Sequence, residues 1–249
     1  FDSNLAEFID EQELNIISSE LLEKYQQDRS SRDKWENSYR KGLDLLGFQY
    51  NERSEPFQGA SGVTHPLLAE SVTQFQAQGY KELLPAGGPV STQIIGKSDP
   101  AKEEQAERVK EFMNYQITHV MEEYDPELDQ MLFHLPLAGS AFKKVYYDAG
   151  LQRAVSKFIS ADDLVVPYSA TDLTSCERIT HIVKMSENEV RKQQVAGFYR
   201  DIDLEYTEKE DRILEKERDI EGVQKVGQED EYTLLEIHVD LNIPGVDED

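Results

Sequence analysis

The sequence predicts an α+β fold in which long N-terminal helices precede an antiparallel sheet with short helices. Apolar side chains recur at helical spacing through most of the first half, whereas strand-like runs separated by turn residues follow after residue 140. A charged stretch and a last alternating run complete the chain. We therefore expect a helical part, an antiparallel β/α part, an acidic solvated excursion and the start of a further strand region, at residues 1–140, 141–200, 201–231 and 232–249.

Residues 1–50 are predicted to be mainly helical. Their apolar side chains fall into two sets at helical spacing, Leu14, Ile17, Leu21, Leu22 and Tyr25, then Trp35, Tyr39, Leu43 and Leu46. Gly47 suits the C-terminal end of the second helix. The polar residues 26–34 between the two sets fit either a break or the solvent face of one long helix.

A segment rich in Gly and Ser comes next, "RSEPFQGASGVTHPLLAESV" at residues 53–72. We expect a loop to about residue 64, with Phe57 packed back onto the core, and then a helix with Pro66 in its first turn. The buried stripe of this helix is predicted to comprise Leu67, Leu68, Val72, Phe75 and Gln76.

The same loop raises the question of phosphate binding, because glycines ahead of a helix can cradle phosphate. Gly59 and Gly62 are too close together for a P-loop, and no Lys follows them. No strand precedes the loop, so a dinucleotide-binding fingerprint is absent as well. We therefore interpret the loop as a structural turn.

Two further helices are predicted between residues 99 and 136, after an exit loop at 83–96 that contains a short strand from Val90 to Ile95. Asp99 suits the N-cap and Pro100 the first helical position. One apolar stripe then runs through Val109, Phe112, Met113, Ile117, Val120, Met121 and Tyr124. A corner at Tyr124–Asp125–Pro126 starts the next helix, whose core face to Pro136 comprises Leu128, Met131, Leu132 and Leu135.

The second half changes to strand-like patterns. Residues 141–148 and 151–160 flank Ala149-Gly150, which predicts a two-residue hairpin with a positive φ at the glycine. "DDLVVP" and residues 178–185 are further strand candidates. Ser186 and Glu189 form a capping box for a short helix that ends at Gly197. Residues 201–231 hold thirteen acidic and five basic side chains, and residues 232–243 alternate as a strand with one buried side, comprising Thr233, Leu235, Ile237, Val239, Leu241 and Ile243.

Composition excludes several classes of function. The chain has 26 Lys and Arg against 50 Asp and Glu, a formal net charge of −24, which argues against ordinary nucleic-acid binding and against docking on anionic membranes. No apolar run approaches the roughly 18 residues of a membrane span. The single Cys176 excludes an internal disulfide and favours assembly in a reducing, intracellular compartment. We expect the chain to be a fragment of a longer protein, because it begins at Phe1 and stops directly after a strand-like run.

No catalytic, cofactor-binding or metal-binding residues are assigned. The histidines are His65, His119, His134, His181 and His238. His119 and His134 lie near Glu122, Glu123 and Asp125, but no histidine pair has the i, i+4 ligand spacing. Cys176 lacks a recognisable catalytic context, and Asp162-Asp163 is typical of a turn or cap. The basic residues form no stripe; those weighed are Lys143 and Lys144 on a strand, and Arg29, Arg32 and Lys34 near Trp35. The sequence is not typical of an enzyme.

Three segments carry a family resemblance: residues 52–96, residues 135–148 ("LPLAGSAFKKVYYD") and residues 158–199, which begin "FISADDLVVPYSATDL". Together they resemble the portal proteins of tailed bacteriophages, and are most similar to the portals of short-tailed and related marine phages. The resemblance covers most of residues 40–200. Within that family the chain is similar to the N-terminal part that forms the wing.

The resemblance implies a subunit of a twelve-membered ring at one vertex of the capsid. Such rings pass double-stranded DNA inward during packaging and outward during ejection, without sequence specificity. The implied partners are further copies of the chain, the major capsid protein, the terminase large subunit and the tail adaptor proteins. The implied location is the virion, after assembly in the cytoplasm of the host bacterium. The resemblance brings no active-site residues and no cofactor, since ATP is hydrolysed by the terminase.

Two other classes stay open from the residues alone. One is another head–tail adaptor or minor capsid protein built on a similar α+β scaffold. The other is a nucleotide- or metal-dependent enzyme of DNA processing. Under the portal interpretation, an acidic conduit would repel the phosphates of the duplex, so that DNA slides with few adhesive contacts.

Overall fold

The structure is a computed structural model that describes residues 9–47, 57, 59, 65–204 and 231–241. It confirms the α+β fold. The elements in chain order are α1 (Glu11–Ser31), α2 (Asp33–Leu46), α3 (Leu67–Leu83), α4 (Pro100–Tyr115), a π-helix (Gln116–Val120), α5 (Tyr124–Ala138), β1 (Phe142–Asp148), β2 (Arg153–Ile159), β3 (Leu164–Val165), β4 (Arg178–Ser186), α6 (Glu187–Val195) and β5 (Glu231–Val239).

These elements form two compact units, one of which is not contiguous in sequence. One unit comprises residues 1–40 and 162–249, and the other comprises residues 41–161. The boundaries differ from the divisions expected from composition, because the first unit joins the N-terminal helix to strands from the second half of the chain. Among the described helices, none has both the length and the apolar character needed to cross a bilayer.

The first unit places α1 against a three-stranded sheet of order β3-β4-β5. Asp10 caps α1 by accepting a hydrogen bond from the Glu13 N–H at 2.9 Å. The helix is interrupted at Arg32, between α1 and α2, so the polar segment 26–34 contains a break rather than the solvent face of one long helix. Tyr25, Val165 and Ile182 form a buried cluster with Leu235 packed against it. Of the predicted α1 stripe, Leu22 is exposed.

The second unit is built around the packing of α3 on α5. Val72 is almost fully buried, and a Cβ at Gly79 would lie 3.1 Å from Leu132, so glycine permits a close approach of the two helices. The stripe expected on α3 was too wide, because Leu67 and Phe75 are 66% and 43% exposed. Pro66 occupies the N-cap position just before the helix rather than its first turn.

The strand predicted from Val90 to Ile95 does not form; this prediction was wrong. The backbone of Val90 instead bonds to a side chain, with its N–H donating to Asn114 Oδ1 at 2.9 Å and its carbonyl accepting from Asn114 Nδ2 at 3.1 Å. A strand needs a neighbouring strand for its remaining polar groups, and no described residues pair with this segment in that way.

The helix start at Asp99 and Pro100 is confirmed, with the Asp99 side chain accepting from the Lys102 N–H. The long helix ends earlier than predicted: α4 stops at Tyr115, the π-helix follows to Val120, and α5 begins at Tyr124. The corner therefore lies at residues 121–123, where the π-helix has shifted the register. Pro136 does not end α5, which continues to Ala138 and stops at Gly139 with φ 85°.

The apolar stripe of α4 is not covered by the described part of the chain. None of the residues of α4 is buried. Val109, Phe112 and Met113 are 48%, 60% and 42% exposed. The apolar residues of α4 lie on a helix, as predicted, but the expected burial of their stripe is not found among the described residues.

The β1–β2 hairpin is confirmed as antiparallel, but its connection is longer than predicted. Asp148 pairs with Arg153, so residues 149–152 form a four-residue loop. The positive φ lies at Gln152 (54°) and not at Gly150. Asp148 Oδ1 accepts hydrogen bonds from the N–H groups of Gly150 and Leu151, at 2.8 and 3.0 Å, and this side-chain turn replaces the predicted two-residue one.

The capping box of Ser186 and Glu189 at the start of α6 is confirmed, and the helix ends at Val195, two residues before Gly197, which has a positive φ. β5 is confirmed as a strand, pairing antiparallel with β4 so that Leu235 lies opposite Ile182. Its predicted buried side is incomplete, because Thr233 and Leu241 are exposed. Most of the acidic excursion (205–230) and Ile243 lie outside the described residues.

Candidate functional site

Only two residues of the glycine-rich loop, Phe57 and Gly59, are described by the structure. Phe57 is 70% exposed, so its predicted packing on the core is wrong. Gly59 has φ +89°, a conformation that favours glycine. Gly62 lies outside the described residues, and His65 is exposed just before α3.

The two histidines weighed for a metal site have different surroundings. His119 is exposed on the π-helix, with Nδ1 2.6 Å from Thr118 Oγ1 and its ring stacked on Tyr115. His134 is half-buried beside Phe133 and Phe158. Burial lowers the pKa of His134 below its ordinary value. Across the described ranges of the chain, no group of three or more His, Cys, Asp or Glu side chains could hold a metal ion.

His181 and His238 lie on one face of the three-stranded sheet β3-β4-β5. His181 Nδ1 lies 3.4 Å from Glu236 Oε2, and His238 Nε2 lies 2.9 Å from Glu236 Oε1. His181 and Glu236 are directly opposite across β4 and β5. One carboxylate thus orients both imidazoles, which links the two strands through their side chains.

The candidate nucleophile and acids have structural partners. Cys176 is half-buried, and its thiol donates to the Arg178 carbonyl at 2.8 Å. Asp162-Asp163 lies in the turn just before β3, as the sequence indicated. The Asp163 carbonyl accepts from the Ile182 N–H at 2.8 Å. These contacts hold the start of the sheet.

A buried charge interaction of the first unit joins Asp28 on α1 to Arg178 on β4. Arg178 Nε donates to Asp28 Oδ2 at 3.0 Å and Nη2 donates to Oδ1 at 3.1 Å, an arrangement in which both side chains are buried. The hydrogen bond to Asp28 raises the pKa of Arg178 above its ordinary value. Sequence reasoning missed this pair; the available signal was that Asp28 follows Tyr25 by three positions and so shares its buried face.

Arg32, a candidate nucleic-acid contact on sequence grounds, binds other groups of the first unit. Its Nη1 donates to the Leu164 carbonyl at 3.0 Å, Nη2 donates to the Asp162 carbonyl, and Nε pairs with Glu36. Its guanidinium also lies 5.3 Å from the centre of the Trp35 ring. Arg32 therefore holds the turn before β3, whereas Arg29 Nη1 donates to the Tyr25 hydroxyl at 3.2 Å and Lys34 is exposed.

In the second unit, α5 covers one edge of the hairpin with carboxylates. Glu123 Oε1 accepts from the Ser156 N–H at 3.1 Å, and Glu127 Oε2 accepts from the Phe158 N–H at 2.6 Å. Four residues along a helix and two along a strand both span about 6 Å, so the two spacings match. Glu123 also pairs with Arg153 at 2.6 Å.

Lys143, expected together with Lys144 to be a solvated surface charge, instead has a buried amine beside α5. Its Nζ lies 3.7 Å from the centre of the Tyr124 ring and has no hydrogen-bond partner among the described residues. Burial lowers its pKa, although Glu127 and Glu123 act in the opposite direction. Lys144 Nζ lies 5.8 Å from the centre of the Tyr146 ring.

Two open grooves lie between described elements of the second unit. One, of about 400 Å³, lies between the exit loop and α4, and Gly88, Glu111, Asn114 and His119 contribute to its walls. The other, of about 610 Å³, lies between α3 and α5. In it the Tyr80 hydroxyl donates to Asp125 at 2.5 Å, and this hydrogen bond raises the pKa of Tyr80. Neither groove brings together a nucleophile, a base and an orienting group.

No protein-family model matches the chain, and no curated protein matches it either. The contacts described above therefore carry the functional argument together with the sequence. The buried or half-buried charges Asp28, Arg178, Arg32, Glu123 and Glu127 all bind other parts of their own unit.

Proposed function

We propose that this chain is a subunit of a tailed-bacteriophage portal protein, corresponding to the wing-forming N-terminal part. Twelve such subunits form a ring at one capsid vertex, and double-stranded DNA passes through the ring during packaging and ejection. The observation that carries the proposal is the resemblance of the three segments at residues 52–96, 135–148 and 158–199. The ring docks the terminase large subunit and the tail adaptors and contacts the major capsid protein, in a virion assembled in the host cytoplasm.

The side-chain contacts support a structural role over a catalytic one. Charged residues inside each unit are used to join elements, as Asp28 joins α1 to β4 and Glu123 joins α5 to β2. Such pairs favour one arrangement of the elements over others. A subunit that must keep its shape while a polymer moves past it requires this kind of scaffold, and in this proposal the polypeptide itself catalyses no reaction.

The net charge of −24 supplies the proposed mechanism of passage. Repulsion between surface carboxylates and duplex phosphates prevents the adhesive ion pairs that hold ordinary DNA-binding proteins in place. The thirteen acidic residues of 201–231, against five basic ones, form an acidic segment that can be tested as a block.

The test replaces those thirteen acidic side chains with Asn and Gln and measures the length of DNA packaged into particles. We expect shorter packaged DNA, because the neutral surface binds the duplex more strongly. A matched variant in which the five basic residues of the same segment become Gln should package full-length DNA. Equal DNA lengths in both variants and the wild type would show that this segment does not act on the duplex.

A further inference from the structure

The two edges of the β1–β2 hairpin differ in what the described residues place against them. On the β2 side, Glu123 and Glu127 accept the outward N–H groups of Ser156 and Phe158. On the β1 side, no strand from the described residues pairs with the hairpin. An open edge of this kind is a template for another strand.

The covered edge fixes which groups of β1 point outward. Val145 lies opposite Ser156 and Tyr147 lies opposite Ala154. In an antiparallel ladder, residues directly opposite each other point their backbone groups to the same kind of position, either both inward or both outward. Because the Ser156 N–H points outward, the N–H and carbonyl of Val145 and Tyr147 point outward too. The side chains of these two residues are also 65% and 63% exposed.

We propose that this edge binds β1 of a second copy of the chain, in an antiparallel arrangement centred on Tyr146. Val145 then lies opposite Tyr147 of the second copy, and both residues have outward backbone groups, as a hydrogen-bonded pair requires. The two hairpins join into one four-stranded sheet of order β2-β1-β1-β2. Four backbone hydrogen bonds form, two at each Val145–Tyr147 pair.

Charge selects this register over its neighbours. Centred on Tyr146, the pairing places Lys144 opposite Asp148 of the second copy, an attractive cross-strand pair that occurs twice. A shift in one direction places Asp148 opposite Phe142, and a shift in the other places it opposite Tyr146. The short sequence "KVYYD" is therefore self-complementary in one register that also satisfies the backbone.

The contact is isologous, so it stops at two copies and does not build a ring. A ring requires a heterologous contact between two different surfaces. The inference thus goes beyond the proposed function and can fail or succeed independently of it.

Disulfide trapping tests the proposal with the 249-residue chain. In a Cys176→Ser background, Tyr146→Cys places two thiols on the two-fold axis, where opposite Cα atoms in a non-hydrogen-bonded pair are about 4.5 Å apart. We expect oxidation to give a crosslinked dimer. The control is Lys157→Cys on β2, an exposed site whose copies would lie three strand spacings apart and offset along the strands, more than about 14 Å from each other. A dimer yield no higher than in this control would overturn the proposal.

Sedimentation of uncrosslinked variants gives a second, independent readout. Val145→Pro removes an outward N–H without touching the bonds between β1 and β2, so it should abolish the dimer, whereas Val145→Thr should keep it. Lys144→Glu should weaken the dimer by opposing Asp148, and Lys81→Glu, at an exposed site on α3 outside the hairpin, should not. Monomers for the wild type, or unchanged association in Val145→Pro and Lys144→Glu, would contradict the pairing, whether or not rings are seen by electron microscopy.

Discussion

Asp28 and Arg178 are separated by 150 positions in the chain and meet as a buried, doubly hydrogen-bonded pair. Removing one partner leaves the other charge without its ion-pair partner in a site where about nine-tenths of each side chain is buried. We expect Asp28→Ala to lower the free energy of unfolding by about 3–5 kcal/mol. Urea denaturation of the full chain measures this directly.

The control for that variant is Glu177→Gln, which removes the other carboxylate that contacts Arg178. Glu177 has a side chain that is 68% exposed, so its pairing is expected to contribute less than about 1 kcal/mol. Equal destabilisation by both variants would show that the Asp28–Arg178 pair does not hold α1 on the sheet.

Glu123 predicts a pH dependence of stability. Burial alone would raise its pKa, but hydrogen bonds from backbone N–H groups and from Arg153 outweigh burial, and the pKa falls below the ordinary value of 4.5. A carboxyl with a lowered pKa in the folded state stabilises the protein at pH values above the unfolded pKa, and this contribution is lost as pH falls through the folded pKa. Glu123→Gln should therefore lose stability at neutral pH and lose less on acidification from about pH 6 to pH 3.

The matched control for the pH experiment is Glu122→Gln, because Glu122 is the exposed neighbour in the sequence. Its unfolding curves from neutral to acidic pH should follow those of the wild type. If Glu123→Gln and the wild type lose stability in parallel as pH falls, the carboxylate of Glu123 does not carry the linkage.

At the scale of elements, local signals were sufficient where one residue determines a helix end. Asp99 with Pro100, and Ser186 with Glu189, each specify a helix start through hydrogen bonds within four residues, and both were predicted. The strand from Val90 to Ile95 was not correctly predicted, because strand formation depends on a distant partner. Here the partner is the side chain of Asn114, which sequence spacing does not reveal.

The exit loop offers a test of that contact. Gly88 has φ +92°, and a Cβ there would overlap the carboxamide of Asn114, so Gly88→Ala should displace the loop from α4. We expect a loss of about 1–3 kcal/mol in the free energy of unfolding from this strained position. Gly87→Ala is the control, since a Cβ at Gly87 meets nothing within 4 Å, and it should change stability by less than about 0.5 kcal/mol. Equal effects would show that the loop is not anchored through Asn114.

At the scale of the whole molecule, the parts predicted from composition follow one another along the sequence, whereas the structure groups residues 1–40 with 162–249 in one compact unit. Contacts such as Asp28–Arg178 and Arg32–Leu164 create this unit, and no periodicity in the sequence encodes them. The sequence pattern placed His181 and His238 on strands, but it did not predict which side chains they contact. The Glu236 carboxylate between His181 and His238, for example, depends on strand register.

The central claim is that this chain is one subunit of a closed ring through which DNA passes. The most direct test is a native mass measurement of the purified chain, together with the longer polypeptide if it is encoded as part of one. We predict assemblies whose mass is about twelve times that of one subunit, which is 28.6 kDa for this chain, or twice that mass where β1 edges join two rings. Particles of another stoichiometry would favour a head–tail adaptor or minor capsid protein, and a chain that stays monomeric or dimeric at all concentrations would contradict the portal proposal.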